Sequence, residues 1–213
     1  MSGRKLLASG KVISVNRAEL LNRRVLKGIR NLNYKNIVLH LRRNSTDALA
    51  AMVNKDECYG LWLQSLVNLV KPKQVVELGA GWGNSTIMIG MAMPKDSKFF
   101  SVDLGVLQPQ WGNIDRYYPS LVRIPGDDLD ISLFPKGTKL EETDIWYIDS
   151  EHTATHFMKE LELYSPFFKK GTIVVCDDIH LNNMELVWNK LPYDKCDLSF
   201  PCRPDSGFGM FCT

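Results

Sequence analysis

Gln74-Val75-Val76-Glu77-Leu78-Gly79-Ala80-Gly81-Trp82-Gly83-Asn84-Ser85-Thr86-Ile87 is the stretch that decides how this chain is read. Val75, Val76 and Leu78, led in by Lys71-Pro72-Lys73, predict a buried strand. Gly79, Gly81 and Gly83 then form a turn in which the backbone is free to take positive φ and a ligand can lie against bare main chain. Asn84, Ser85 or Thr86 is expected to cap the following helix, whose free N–H groups favour an anionic group. The dinucleotide fingerprint G-x-G-x-x-G fails, because Asn84 stands where its third glycine belongs. The Walker A pattern fails too, since no Gly-Lys-Ser/Thr follows. The alternative is a tight strand–helix turn with no ligand. Three closely spaced glycines each cost chain entropy, which favours the ligand.

The rest of the chain sets the frame. With 213 residues, 45% of them hydrophobic, one α/β domain with a sizeable core is expected. No apolar run is long enough to span a membrane, and Met1 to Leu7 makes a poor signal peptide. Five cysteines without a C-x-x-C pair point to reduced thiols and a cytoplasmic protein. The net charge of +2 conceals a division. Eleven of the 26 Lys/Arg and one of the 24 acidic residues fall in residues 1–46, so this stretch carries +10 and the remainder −8. A basic arm on an acidic body suits nucleic acid, an anionic lipid surface or a neighbouring subunit, and a solvated helical face explains it equally well.

Before the glycine turn, Glu19–Leu26 has helical spacing, Ile37–Leu41 is a short apolar run, and Asn44-Ser45-Thr46-Asp47 signals a helix start. A helix is expected over Tyr59–Val70. After the turn, a helix stops at Pro94 and Lys98–Asp103 is the second strand. Asp103 ends that strand about twenty residues past the turn, where a carboxylate accepts from both hydroxyls of a ribose. Leu121–Ile124 is the third strand, followed by Asp127 and Asp128. Gln108–Asn113 is a lid candidate. Asp144–Asp149 and Thr172–Asp178 are the fourth and fifth strands, and both end in carboxylates at the edge where open α/β sheets bind ligands. The tail supplies strand six around Lys195–Phe200 and strand seven over Gly207–Cys212, which should form a hairpin with one strand antiparallel. Asp149, Asp177 and Asp178 make an all-oxygen set suited to Mg²⁺ or Mn²⁺.

The Glu77-x-Gly79-x-Gly81-x-Gly83 turn resembles motif I of the class I S-adenosylmethionine-dependent methyltransferases. Ile148-Asp149-Ser150-Glu151-His152, Lys159–Pro166 and Gly171–Asp178 are similar to the metal-dependent small-molecule O-methyltransferases. The nearest likeness is to the macrocin and mycinamicin sugar O-methyltransferases, with the rhamnosyl O-methyltransferase and cephalosporin-hydroxylase-like group. Catechol O-methyltransferase is more distantly similar. The resemblance covers about residues 58–212 and implies a Rossmann-like seven-stranded α/β sheet flanked by helices; the domain is expected over residues 46–213, with residues 1–45 as a basic N-terminal extension. It implies that Glu77, Gly79, Ala80, Gly81, Gly83 and Ser85 serve the methionine end of S-adenosylmethionine. Asp103 would take the ribose, and Asp127 and Asp128 the adenine. It makes Asp149, Asp177 and Asp178 ligands of Mg²⁺ or Mn²⁺ and His152 the general base. The family usually carries Glu-Asp where this chain has Asp177-Asp178. His156, four residues past His152, is either a partner behind the site or a satisfied surface histidine, and the latter is expected.

The activity implied is methyl transfer to a hydroxyl of a small molecule, a sugar or glycosylated natural product, by a homo-oligomer. Two other classes stand beside it. One is a nucleic-acid methyltransferase using the basic arm, against which no Asn/Asp-Pro-Pro-Tyr/Phe motif occurs. The other is a non-catalytic cofactor-binding protein.

Overall fold

A computed structural model describes residues 5–6, 12–13, 16–29, 59–104 and 118–213. The apolar run at 37–41, the helix start at 44–47 and the lid candidate at 108–113 lie outside them. A short antiparallel hairpin, β1 (Lys5–Leu6) and β2 (Val12–Ile13), precedes helix α1 (Arg17–Ile29). Helix α2 (Tyr59–Val70) leads into β3 (Gln74–Leu78), and helix α3 (Asn84–Gly90) follows the glycine turn. Then come β4 (Lys98–Asp103), β5 (Leu121–Pro125), β6 (Ile145–Ile148), α4 (Ala154–Tyr164), β7 (Ile173–Asp177) and α5 (Met184–Lys190). The chain closes with β8 (Asp194–Asp197), a short helical turn α6 (Ser199–Cys202) and β9 (Phe208–Cys212).

Seven strands form one sheet in the order β5-β4-β3-β6-β7-β9-β8. The pairs from β5 to β7 are parallel, and β9 runs antiparallel to both its neighbours. The order reverses beside β3, which has β4 on one side and β6 on the other. A crevice opens at such a switch point outside the carboxyl ends of the strands. The expected strand six ends earlier than its sequence suggested. Ser199 and Phe200 belong to α6 rather than to β8, and the Phe200 side chain is exposed.

Central parallel strands are covered on both faces, so they read as continuous apolar runs. Alternate residues still separate the two cores. Val75, Phe99, Ile145, Val175 and Met210 face α1, α2 and α3 with Trp62 and Leu66. Val76, Phe100, Trp146, Val174 and Phe211 face α4 and α5 with Phe157, Tyr164 and Trp188. Helix α1 lies within the stretch expected as an extension, and it packs onto this body. Ala18 and Val25 are fully buried, and Trp62 Nε1 donates to Asn22 Oδ1 at 2.9 Å.

The sheet ladder continues past the strand ends at the switch point. Gly79 N donates to Val102 O at 2.9 Å and Asp149 N to Leu78 O at 2.8 Å. This brings Gly79 against the chain after β6 so closely that a Cβ there would lie 2.0 Å from the Asp149 carbonyl oxygen. Gly81 has open space in the same place. Gly79→Ala should therefore destabilise the protein by roughly 2–4 kcal/mol in urea titration, from overpacking and its positive φ together. Gly81→Ala should cost only about 1–2 kcal/mol, the left-handed backbone alone. Equal losses at the two positions would contradict this packing.

Candidate active site

The glycine turn is held from beneath. Gly79, Gly81 and Gly83 have φ of 83°, 48° and 84°. The expected side-chain cap of α3 is absent: Gly83 occupies the cap position with no side-chain bond. The hydroxyls meant for that task turn downward instead. Ser85 Oγ and Thr86 Oγ1 each donate to the Glu77 carboxylate at 2.7 Å, and Ser101 Oγ donates from β4 at 2.5 Å. Glu77 is wholly buried and does not line the cavity above. Burial pushes its carboxyl up to about 7, against the pull of the Ser101, Ser85 and Thr86 bonds. Its place is under the turn, as a clamp between β3, α3 and β4.

Above the turn, Asp103 Oδ2 accepts from the backbone N–H of Ala80 at 3.0 Å and of Gly81 at 2.9 Å. One cavity of about 660 Å³ is lined by Gly79, Ala80, Gly81 and Ser85 of the turn, by Asp103, Asp127 and Asp128, and by Asp149 and His152. Gly83 lies beside it and starts the helix. Asp127 Oδ1 accepts from Leu129 N of its own loop at 2.9 Å. Trp82 stands exposed at the cavity mouth.

The carboxylate edge forms the other wall. His152 lies between two carboxylates, with Nε2 3.0 Å from Asp149 Oδ1 and Nδ1 2.8 Å from Asp178 Oδ2. Asp149, His152 and Asp178 bring their donor atoms within 4.8 Å of one another. Asp177, the third expected ligand, stands outside this trio. It is fully buried, and its Oδ2 takes Arg203 Nη2 at 2.8 Å and lies 3.2 Å from the Tyr147 hydroxyl. The Tyr147 hydroxyl also donates to Asp149 Oδ2 at 2.9 Å, so a single phenol joins both strand ends. Asp178 has φ 54°, a left-handed conformation that costs a non-glycine residue and turns its carboxylate toward His152.

Electrostatics follow from this crowding. The bonds to Asp149 and then Asp178 push His152 up to about 10, against burial. Burial pushes Asp178 up, yet the bonds from His152 and Ser206 and the charges of His152 and Arg203 together outweigh it, and the net shift is downward. Burial and then the Asp149 charge push Asp177 up to about 8, against Arg203.

Two features of the site go beyond the sequence expectations. Asp128 does not simply face the cavity: its carboxylate lies 3.0 Å from His156 Nε2, and Glu160 joins the same cluster. Ser150 Oγ donates to Glu160 Oε1 at 2.7 Å, so the network ties the loop after β5 to the loop after β6 through α4. His156 is thus a nearly buried cavity residue rather than a surface histidine. The i, i+4 spacing of His156 and Glu160 was the available signal. Arg203 carried none, because only the β9 return brings it to Asp177.

The comparisons with known proteins agree with this geometry. Residues 76–179 match the family model described as a methyltransferase domain, and residues 30–117 match the one described as O-methyltransferase. The chain is 26% identical over 150 residues to catechol O-methyltransferase B of Danio rerio, across 64% of this chain and 55% of that protein. It thus spans about half the length of this curated relative. Among solved structures it resembles an O-methyltransferase from Bacillus cereus in complex with SAH, with TM-score 0.59, 19% identity, and coverage of 92% of this chain and 99% of that one. It also resembles the O-methyltransferase TomG from Streptomyces achromogenes in complex with SAM, with TM-score 0.54, 15% identity, and coverage of 92% and 98%. Two methyltransferase family models thus match within residues 30–179, and the solved O-methyltransferase structures share the fold of this chain.

In metal-free protein the His152 imidazole should titrate far above 6.5, near 10, when followed by NMR. Its folded value is raised, so its contribution to stability is fully present below about 6.5 and is lost as pH rises through about 10. A midpoint close to 6.5 would remove the two-carboxylate clamp.

Proposed function

We propose that this chain moves the methyl group of S-adenosylmethionine to a hydroxyl of a small molecule, as a metal-dependent O-methyltransferase. One observation carries the reading: the glycine turn and the carboxylate edge line a single cavity, so donor and acceptor can be held face to face. The turn suits the cofactor. Gly81 offers bare backbone with open space above it, and Asp103 stands at the end of β4 beside it. Asp103 would hold the ribose and Asp127 the adenine. Asp128, engaged with His156, would set the position of that loop.

The carboxylate edge suits a hard divalent cation in its donor chemistry. Asp149 and Asp178 would hold Mg²⁺ or Mn²⁺, with Asp177 as a third ligand. A cation bound there supplies orientation and acidification of the acceptor hydroxyl. The chain's own residues do the rest. The cavity walls align acceptor oxygen and methyl group, which supplies a large part of the rate. His152 serves as a base only when neutral, and its two carboxylate partners keep it protonated. With Asp149 and Asp178 engaged in holding a cation, His152 would be released to its neutral form and would take the acceptor's proton.

Two adjacent oxygens on the acceptor would match the paired carboxylates of the site. The proposed class is therefore a vicinal diol, such as a sugar or glycosylated natural product, or a catechol, which the name of the curated relative supports. The reading places the protein in the cytoplasm, supported by its odd number of cysteines without a C-x-x-C pair, and as a homo-oligomer, supported by its charge division. Among the described residues no helix is long and apolar enough to cross a membrane.

Titration calorimetry should show S-adenosylhomocysteine binding with NAD inert. Asp103→Ala should weaken it by about 1–3 kcal/mol, the cost of stranded hydrogen-bond partners. With a diol acceptor, chelator should stop transfer without stopping cofactor binding, and Mn²⁺ should restore it. Full transfer in excess chelator would sink the metal assignment, and no heat with S-adenosylhomocysteine would sink the cofactor assignment.

A further inference from the structure

Three carboxylates converge at the ends of β6 and β7, and the protein supplies its own cations to them. His152 sits between Asp149 and Asp178, and Arg203 pairs with Asp177. The two cations differ in where they can go. His152 is part of the trio whose donor atoms already converge. Arg203 comes from outside it, from the segment between α6 and β9, and it holds the one carboxylate that the trio lacks.

Both oxygens of Asp177 are engaged. Oδ1 accepts from Asp178 N at 3.0 Å, and Oδ2 takes Arg203 at 2.8 Å and faces the Tyr147 hydroxyl at 3.2 Å. An amide and a phenol are neutral and can stay beside a carboxylate that ligates a dication. A guanidinium cannot do so without repulsion, which a poorly solvated site magnifies. Arg203 also rests on a second group while it holds Asp177. Its guanidinium carbon lies 4.1 Å from the centre of the Tyr59 ring, which lines the same cavity, so a cation that lets go of Asp177 keeps a partner. Its backbone is fixed meanwhile: Gly207 N donates to Arg203 O at 2.9 Å, and Asp178 N donates to Gly207 O at 2.8 Å. The side chain can move without the loop moving.

We propose that Arg203 is the resident counter-cation of Asp177 and is exchanged for the divalent ion, releasing Asp177 while it keeps the face of Tyr59 when that carboxylate becomes a ligand. Arg203 is then a positioning residue that sets metal affinity. This rests on the metal-dependent reading above. It also accounts for the position of Asp177 outside the convergent trio: the third ligand is held in reserve by an internal cation.

The test uses the full chain and Mn²⁺ alone. Electron paramagnetic resonance would measure free Mn²⁺ against wild type, Arg203→Met and Arg203→Lys, each first shown to bind S-adenosylhomocysteine. Arg203→Met should bind Mn²⁺ about tenfold tighter or more, because a competing like charge is gone. Arg203→Lys, which keeps the charge, should stay near wild type. A second measurement needs no variant: in a Mg²⁺ titration of wild type, the Arg203 Nε–Hε NMR signal should shift and saturate with the ion. Wild type that binds Mn²⁺ while this signal stays still, or an Arg203→Met protein with equal or weaker affinity, overturns the exchange and leaves the metal reading standing. Absence of Mn²⁺ binding in every form overturns both.

Discussion

The contact between Gly79 and the Asp149 backbone is the constraint on which the site depends. A parallel sheet brings strand ends together only as closely as its ladder allows, about 4.8 Å between neighbours. Here the ladder extends one residue beyond β3 and β6, through Gly79 N to Val102 O and Asp149 N to Leu78 O. No side chain fits at position 79. The turn that would cradle the methyl donor and the carboxylate that would order the acceptor are thereby set at one distance by backbone alone. Glu77 secures the arrangement from below, since its three hydroxyl partners come from α3 and β4. That clamp explains why an acidic residue lies in an otherwise apolar central strand.

A second theme is how the fold tolerates so many carboxylates in one place. Unpaired, Asp149, Asp177 and Asp178 would repel and take up protons. The chain answers with a histidine between two of them, an arginine on the third and the Tyr147 phenol across the gap. Asp178 accepts a left-handed backbone to face His152. Strain and buried charge of this kind concentrate where function is carried.

Most of the architecture was legible because it rests on local signals. The run Val75-Val76-x-Leu78, the three glycines and the helix Tyr59–Val70 read directly as strand, turn and helix, with the boundaries later observed. The strand-end acids were legible for the same reason, since each terminates an apolar run. What escaped was whatever depended on pairing across long separations. Ser85 and Thr86 read as helix caps, yet buried Glu77 competes for their hydroxyls and wins. Asp177 and Asp178 read as an equivalent pair, but Asp177 ends β7 and faces Arg203, while Asp178, one residue past the strand with a left-handed backbone, faces His152. Arg203 gave no signal as a site residue, and His156 gave only its spacing from Glu160, because their partners lie 26 and 28 positions away in the chain.

The account stands on donor and cation sharing one sheet edge. A crystal structure of the protein with S-adenosylhomocysteine and Mn²⁺, recorded at a wavelength where manganese scatters anomalously, tests that directly. The predicted result is an anomalous peak between Asp149 and Asp178, with the cofactor sulfur over Gly79–Gly81 and its ribose on Asp103, both in the one cavity. A cofactor bound away from the glycine turn, or manganese located anywhere but among these carboxylates, would contradict it.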